Sequence, residues 1–346
     1  MVGILFSIVT VLIGIGLLSY GSDWFIIGSS KLAKCLNVSN FVIGATVIAF
    51  GTSLPEIITS IYAAYAGSPM IAIGNSLGSC ITNIGLVLGI CAILSPIIIK
   101  HKSILKNSYI YLTYSIILAL MGYDGFNFVD GVIMLILFLG YIGHTIKKEG
   151  TSKDEEIKCE NISIILAMLI TIIGLSGVFL GSRLFVDGAR DAAIFLGISD
   201  KVIGFTLVAF GTSLPEIAVS ISAIRKKLGD IVIGNIIGSN MANIGCALAL
   251  SSMISYISPT NFEMFINLLL VVITVGYMGK SAIFNGVPSK IKNRLFKKNN
   301  NDSARNSIEV INNKYLKINR IEGLSLFIIY LIYLLIITNI MCFYFY

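Results

Sequence analysis

The nonapeptide "AFGTSLPEI" occurs twice in the chain, at Ala49–Ile57 and at Ala209–Ile217, 160 positions later. Each copy places a Pro-Glu step inside a hydrophobic run. Proline breaks an interior helix and a carboxylate is costly in apolar surroundings, so their repetition needs a chemical reason. The likeness spreads outward from the motif at the same offset. Val42–Ser60 matches Val202–Ser220 at 14 of 19 positions without a gap. "GNSLGSCITNIG" (Gly74–Gly85) matches "GNIIGSNMANIG" (Gly234–Gly245), and "GSDWFIIG" (Gly21–Gly28) matches "GSRLFVDG" (Gly181–Gly188). Packing alone would retain hydrophobicity; it would not retain Thr, Ser, Pro and Glu.

The surroundings of the motif set the solvent. Of 346 residues, 56% are hydrophobic and 12% charged, against about 25% charged in ordinary soluble domains. Apolar runs of about 20 residues, the length that crosses a bilayer, recur along the chain. The expected fold is an all-α integral membrane protein of ten transmembrane helices. They fall near residues 2–34, 40–65, 70–95, 106–122, 127–147, 162–196, 200–225, 229–254, 260–279 and 323–344. The first and sixth exceed the bilayer thickness and should tilt. The first has no basic segment before it and reads as a retained span rather than a cleaved signal. The organisation expected is a five-helix repeat over 1–148, a linker over 149–161, and a second five-helix repeat over 162–346 that carries a basic, Asn-rich loop at 280–322.

Charge orients this arrangement. With both termini outside, 22 of the 25 Lys and Arg fall in cytoplasmic segments, ten of them from Lys280 to Arg320. Five helices per half is odd, so the second half enters the membrane upside down. Inverted repeats of this kind are a signature of secondary transporters. The net charge of +7 is accounted for by these loops, and no nucleic-acid partner is expected. The partners expected are the bilayer of the cell membrane and small ions, with a monomer as the default. The six cysteines form no C-x-x-C pair and read as small hydrophobes; His101 and His144 sit near helix ends.

The motif's chemistry follows from its residue types. Pro55 cannot donate to the carbonyl of Gly51, so the helix should break near Gly51–Pro55, and again near Gly211–Pro215, with the glycines loosening the turn. A break frees carbonyls, which are tolerated at membrane depth only where they line a site. Beside each break stand hydroxyls, Thr52 with Ser53 and Thr212 with Ser213, one turn from Glu56 and Glu216. In the paired segments, Ser79 with Asn83 and Ser239 with Asn243 share helix faces and read as further ligands, whereas Gly78 and Gly238 read as helix-packing residues. Every donor is oxygen, which suits hard cations such as Ca²⁺ and Na⁺ and not zinc or copper. Two carboxylates balance one Ca²⁺ or two Na⁺, so the two ions can compete for the pair.

The two "GTSLPE" motifs with their "GN-x-x-GS-x-x-x-N" partners resemble the two alpha repeats of the sodium/calcium exchanger family, and most closely its compact archaeal members. The similarity spans nearly the whole chain except the 280–322 loop. It implies ten helices, eight in a rigid core and two long ones, here the first and sixth, that slide across it. It also implies electrogenic exchange of three Na⁺ for one Ca²⁺. Position by position, it implies ligands at Glu56 and Glu216, at the side chains of Thr52, Ser53, Thr212, Ser213, Ser79, Asn83, Ser239 and Asn243, and at the carbonyls of Ala49 and Ala209. The transported ions are substrates, and no cofactor is implied. One position departs: archaeal members and the potassium-dependent branch have Asp where this chain has Asn243, which matches the potassium-independent animal exchangers. The short linker leaves no room for a regulatory Ca²⁺-binding domain.

Three rival readings stand beside this one. In a proton/calcium antiporter, protons would take the place of Na⁺ on the two carboxylates, but the adjacent hydroxyls offer oxygens that a proton does not need. A cation channel would need weak binding in an open pore. An enzyme is disfavoured by the lack of H-E-x-x-H and G-x-S-x-G patterns.

Overall fold

A proline within the first turn of a helix loses nothing, because the amide it lacks would have had no partner there. Each "SLPE" segment should therefore restart a helix rather than continue one. The computed structural model of the chain, which describes residues 2–99, 103–149, 163–195, 209–258, 261–286 and 316–344, has this form. In the first half, α1 (Val2–Cys35) is followed by α2 (Asn40–Thr52), α3 (Leu54–Tyr65), α4 (Pro69–Leu94), α5 (Ser103–Met121) and α6 (Phe128–Glu149). In the second, α7 (Ile164–Phe195) is followed by α8 (Ala209–Thr212), α9 (Leu214–Arg225), α10 (Gly229–Ile254), α11 (Asn261–Gly286) and α12 (Arg320–Tyr344). Among the described residues, eight helices are long and apolar enough to span a membrane, and the α2–α3 pair makes a ninth span bent by 47°. The α8–α9 pair is the repeat counterpart of α2–α3. Its expected beginning, residues 200–208, lies outside the described residues, as do 150–161 of the expected linker and 287–315 of the expected loop. That loop is shorter at both ends than the sequence suggests, since α11 runs on to Gly286 and α12 starts at Arg320.

The break itself falls two residues beyond the glycine. Ser53 (φ −86°, ψ 2°) and Ser213 (φ −89°, ψ 0°) occupy the sparsely allowed bridge region, with Pro55 and Pro215 in the first turn beyond. Gly51 and Gly211 are helical and do not loosen the turn. A Cβ at Gly51 would come within 3.3 Å of Phe25 and Leu175, and one at Gly211 within 2.6 Å of Val186. These glycines make room for the two long helices that cross the break.

Those helices, α1 and α7, run antiparallel and touch each other along most of their length. Gly14, Gly21 and Gly28 recur every seven residues on α1, as do Gly174, Gly181 and Gly188 on α7. A Cβ would stand 2.6 Å from the Phe185 amide nitrogen at Gly14, 2.7 Å from that of Val178 at Gly21 and 2.6 Å from that of Leu18 at Gly181. Backbone meets backbone, as small residues permit between helices in lipid. The outward faces of both helices carry exposed Leu, Ile and Phe, including Leu5, Phe6, Leu12, Ile165 and Leu180.

The inner helices reverse that pattern. Over its most apolar stretch α10 is 94% buried and α4 78%, against 28% for α1, α6, α7 and α12. Two short strands, not expected in an all-helical chain, fasten the halves together. β1 (Ile97–Ile99) pairs antiparallel with β2 (Leu316–Ile318), Ile97 opposite Ile318. Its repeat mate Ile257 exchanges backbone hydrogen bonds of 2.8 and 3.0 Å with Phe126. Each half thus clasps the segment before the last helix of the other, and that helix packs on the partner half: α6 on α10, α12 on α4. Gly245 accepts the ring of Phe138 and Gly85 that of Tyr330.

The repeat departs from symmetry at Asp23, whose counterpart is Arg183. Asp23 on α1 reaches Lys226 at 2.6 Å and Ser222 at 2.5 Å, whereas among the described residues Arg183 pairs along its own helix with Asp187 at 3.7 Å. We expect Gly21→Val to separate α1 from α7 and to cost about 1–3 kcal/mol through overpacking. A thermal melt of the detergent-solubilised protein should show a clearly lower midpoint than an exposed control such as Leu12→Val.

Candidate cation-binding site

The two helix breaks point their following turns at the centre of the molecule. Glu56, in the first turn of α3, is 0% exposed, and Glu216, in the first turn of α9, is 1% exposed. Beside them the π-helical turns Asn83–Leu88 and Asn243–Leu248 interrupt α4 and α10. Each carboxylate helix packs across the repeat boundary, α3 against Asn243–Leu248 and α9 against Asn83–Leu88. A π-turn adds a residue to the helical circuit and is often found where a side chain must be re-aimed. Here each begins on a ligand-type amide.

The expected residues converge. Ser53 Oγ donates to Glu216 Oε1 at 3.1 Å, a contact between halves. Thr52 Oγ1 lies 3.3 Å from the Ala49 carbonyl and 3.4 Å from Asn235 Oδ1. Ser239 Oγ donates to the same Ala49 carbonyl at 3.4 Å, again from the other half. Asn83, Asn243, Ser79 and Ser213 are all buried. Thr212 ends the short helix α8, which Ala209 begins. Gly238 packs as expected: a Cβ there would stand 2.7 Å from the Ala45 Cα. A Cβ at Gly78 would meet no described atom within 4 Å beyond its own helix's backbone, so Gly78 does not make the close helix contact expected of it.

The atoms left over define the site's chemistry. Among the described residues, both oxygens of Glu56, Oε2 of Glu216, Oδ1 of Asn83, Oγ of Ser213 and both amide atoms of Asn243 are buried without a hydrogen-bond partner. A single unpaired buried polar group costs about 1–3 kcal/mol, and a buried charge costs several. So many in one place, nearly all oxygens, fit a hard cation with oxygen ligands. No group of three or more His, Cys, Asp or Glu forms among the described residues, so the negative charge here is that of two carboxylates.

A supporting layer was not singled out from sequence. Asn75 Nδ2 donates to the Glu56 carbonyl at 3.0 Å and to Ser60 Oγ at 2.9 Å. Its repeat mate Asn235 donates to Ser220 Oγ at 3.2 Å. The "GN" that opens both paired segments was the available signal. Asn240 bonds Asn83, Cys80 and Tyr111, and it faces Cys80 in the aligned repeat, where identity fails. The long helices sit unequally on this core: Ser182 Oγ donates to the Gly211 carbonyl at 3.0 Å, whereas its mate Ser22 donates within α1 to Ser19.

Two inverted halves, each with a broken helix that presents a buried carboxylate to a shared centre, define a secondary transporter rather than an enzyme. Residues 6–147 and 166–339 match the family described as sodium/calcium exchanger protein, and the chain belongs to that family. It is 54% identical over 253 residues to an uncharacterized membrane protein of Methanocaldococcus jannaschii, covering 73% of this chain and 83% of that one. It is 31% identical over 299 residues to the sodium/calcium exchanger MaX1 of Methanosarcina acetivorans, covering 73% and 85%. Its fold matches the solved structure of the sodium-calcium exchanger NCX_Mj soaked with 10 mM Na⁺ and no Ca²⁺, at a TM-score of 0.79 and 44% identity over 95% of this chain and 98% of that one. The chain is a multi-pass integral membrane protein.

Neutralising either carboxylate removes a buried charge while keeping shape. We expect Glu56→Gln and Glu216→Gln to fold with no loss of thermal stability in ion-free buffer. Neither should gain the several-degree rise in melting midpoint that saturating Ca²⁺ gives the parent protein.

Proposed function

We propose that this protein exchanges Na⁺ for Ca²⁺ across the cell membrane by alternating access, three Na⁺ for one Ca²⁺, with both termini outside. The observation that carries this reading is the pair of fully buried carboxylates, one from each inverted half, whose unpartnered oxygens sit among hydroxyl and amide oxygens. One Ca²⁺ neutralises the pair. Glu56, Glu216, Thr52, Ser53, Thr212, Ser213, Ser79, Asn83, Ser239, Asn243 and the carbonyls of Ala49 and Ala209 supply the ligands. The hydroxyl and amide oxygens exceed what protons alone would use, which favours Na⁺ over H⁺ as the counter-ion. Alternating access falls to α1 and α7. Their glycine seam joins them to each other, and their unequal seating on the core, with Ser182 engaged and Ser22 not, fits one of two related positions.

The test is Ca²⁺ uptake into proteoliposomes. Na⁺-loaded vesicles should take up Ca²⁺ when diluted into Na⁺-free buffer, and a pH gradient of equal size should drive none; the reverse result would make the protein a proton/calcium antiporter. Each cycle moves one net charge, worth about 2.3 kcal/mol per 100 mV. A valinomycin-clamped potential, positive inside, should therefore speed Ca²⁺ entry against Na⁺ exit, and equal rates at all potentials would mean electroneutral exchange.

Asn243 presents a neutral amide that does not titrate near neutral pH. Exchange should need no K⁺, and Asn243→Asp, which adds a third carboxylate, should make uptake sensitive to external K⁺. A parent protein that stalls without K⁺ would place the chain on the potassium-dependent side of the family.

A further inference from the structure

The ligand-type amides Asn83 and Asn243 are repeat mates, yet their surroundings differ. Where the two halves meet, residue 80 of α4 faces residue 240 of α10. In the first half this position is Cys and in the second Asn. The two reach across to each other's backbone: Cys80 Sγ lies 3.7 Å from the Asn240 carbonyl, and Asn240 Nδ2 lies 3.3 Å from the Cys80 carbonyl.

The second of these contacts fixes a direction. A backbone carbonyl can only accept. The amide nitrogen of Asn240 must therefore face Cys80, and it also meets the Tyr111 hydroxyl at 2.9 Å. Tyr111 in turn donates to Asn267 Oδ1 at 3.3 Å. With its nitrogen committed, Asn240 offers its oxygen on the other side, where Asn83 Nδ2 lies 3.0 Å away. Asn83 has to present nitrogen to Asn240, and its Oδ1 is left facing away, buried and without a described partner. Asn243 has no such neighbour, because Cys80 carries no amide oxygen, and both of its amide atoms lack a described partner.

We infer that Asn240 is a positioning residue: through the chain Cys80 carbonyl–Asn240–Asn83 it locks the Asn83 oxygen toward the transported cation, while the Asn243 amide remains free to turn. The inference rests on the exchange reading above and adds to it. A symmetric pair of ligands becomes unequal because a single Asn occupies the junction between the halves. Asn83 is held ready for a cation. Asn243 has to choose its orientation when one binds.

A double-mutant cycle tests this, read both as the KM for Ca²⁺ in Na⁺-driven uptake and as the Kd for Ca²⁺ of the solubilised protein. Asn240→Cys installs the residue that already occupies the matching position. It should raise both constants about three- to tenfold, the range of one lost hydrogen bond, and Asn83→Ala should do at least as much. If Asn240 acts through Asn83, the double variant should be no more than about twofold worse than Asn83→Ala alone, whereas Asn240→Cys combined with Asn243→Ala should show multiplied effects. Multiplication in both cycles means a merely structural role and overturns the proposal, as does an unchanged Ca²⁺ constant in Asn240→Cys. If that variant does not fold, Tyr111→Phe, which deletes only the hydroxyl that Asn240 meets, should shift the constants in the same direction and show the same dependence on Asn83; no shift overturns the proposal. A parent protein that binds Ca²⁺ but does not exchange it would defeat the exchange reading and leave the cycle readable through Kd. One that does neither would overturn both.

Discussion

Two carboxyl groups, Glu56 and Glu216, buried in the middle of a membrane protein are the constraint from which the rest follows. An ionised one is unfavourable in lipid by at least about 2.5 kcal/mol on insertion scales, and two facing one another would repel. The broken helices answer this by bringing hydroxyls, turn carbonyls and amides to the same point. Asn75 and Asn235 brace the restarted helices from behind through Ser60 and Ser220. What this inner layer does not satisfy are the buried oxygens that the proposed exchange assigns to an ion. A site that satisfied itself would have no reason to bind, and one with weaker bracing would collapse onto its own charges.

The surrounding architecture buries the braced centre from several sides and sets two long helices at its periphery. The clasps at Ile97–Ile318 and Phe126–Ile257 and the exchange of α6 and α12 between halves mean that neither repeat is complete alone. The core helices are buried from several sides. By contrast, α1 and α7 bury their glycine seam against each other and turn the rest largely to lipid. Among the described residues their polar ties to the core are unequal: Asp23 with Lys226 and Ser222, and Ser182 with Gly211. In the exchange proposed above, a pair joined so closely along its length would shift as one body.

Most of the fold was legible because lipid imposes a simple code. Spans of about 20 apolar residues, basic loops and a 160-residue repeat located the helices and the two carboxylates. The candidate site residues stand out in the sequence because polar identity is retained in apolar surroundings at a fixed offset. Features that depend on cross-chain geometry were hidden. Nothing in "TNIGLV" or "ANIGCA" announces a π-turn. The strands Ile97–Ile99 and Leu316–Ile318 lie more than 200 residues apart, and Gly51 reads as a hinge until Phe25 and Leu175 are seen against it. Asn240 is silent in the sequence because a repeat draws notice to positions where the halves agree, and here Cys80 stands opposite Asn240.

The interleaving of the halves also has a consequence for biogenesis. Glu56 is synthesised 160 residues ahead of Glu216. At about 5–20 residues per second, α3 waits in the bilayer for roughly 10–30 s with its carboxylate unmatched. The groove that receives α6 is not made until α10 emerges, and α4 gains its contact with α12 later still. The nascent first half is therefore an unfinished, charged intermediate that the membrane or its insertion machinery must shelter. The packing of α4 is completed only when α12 has been made.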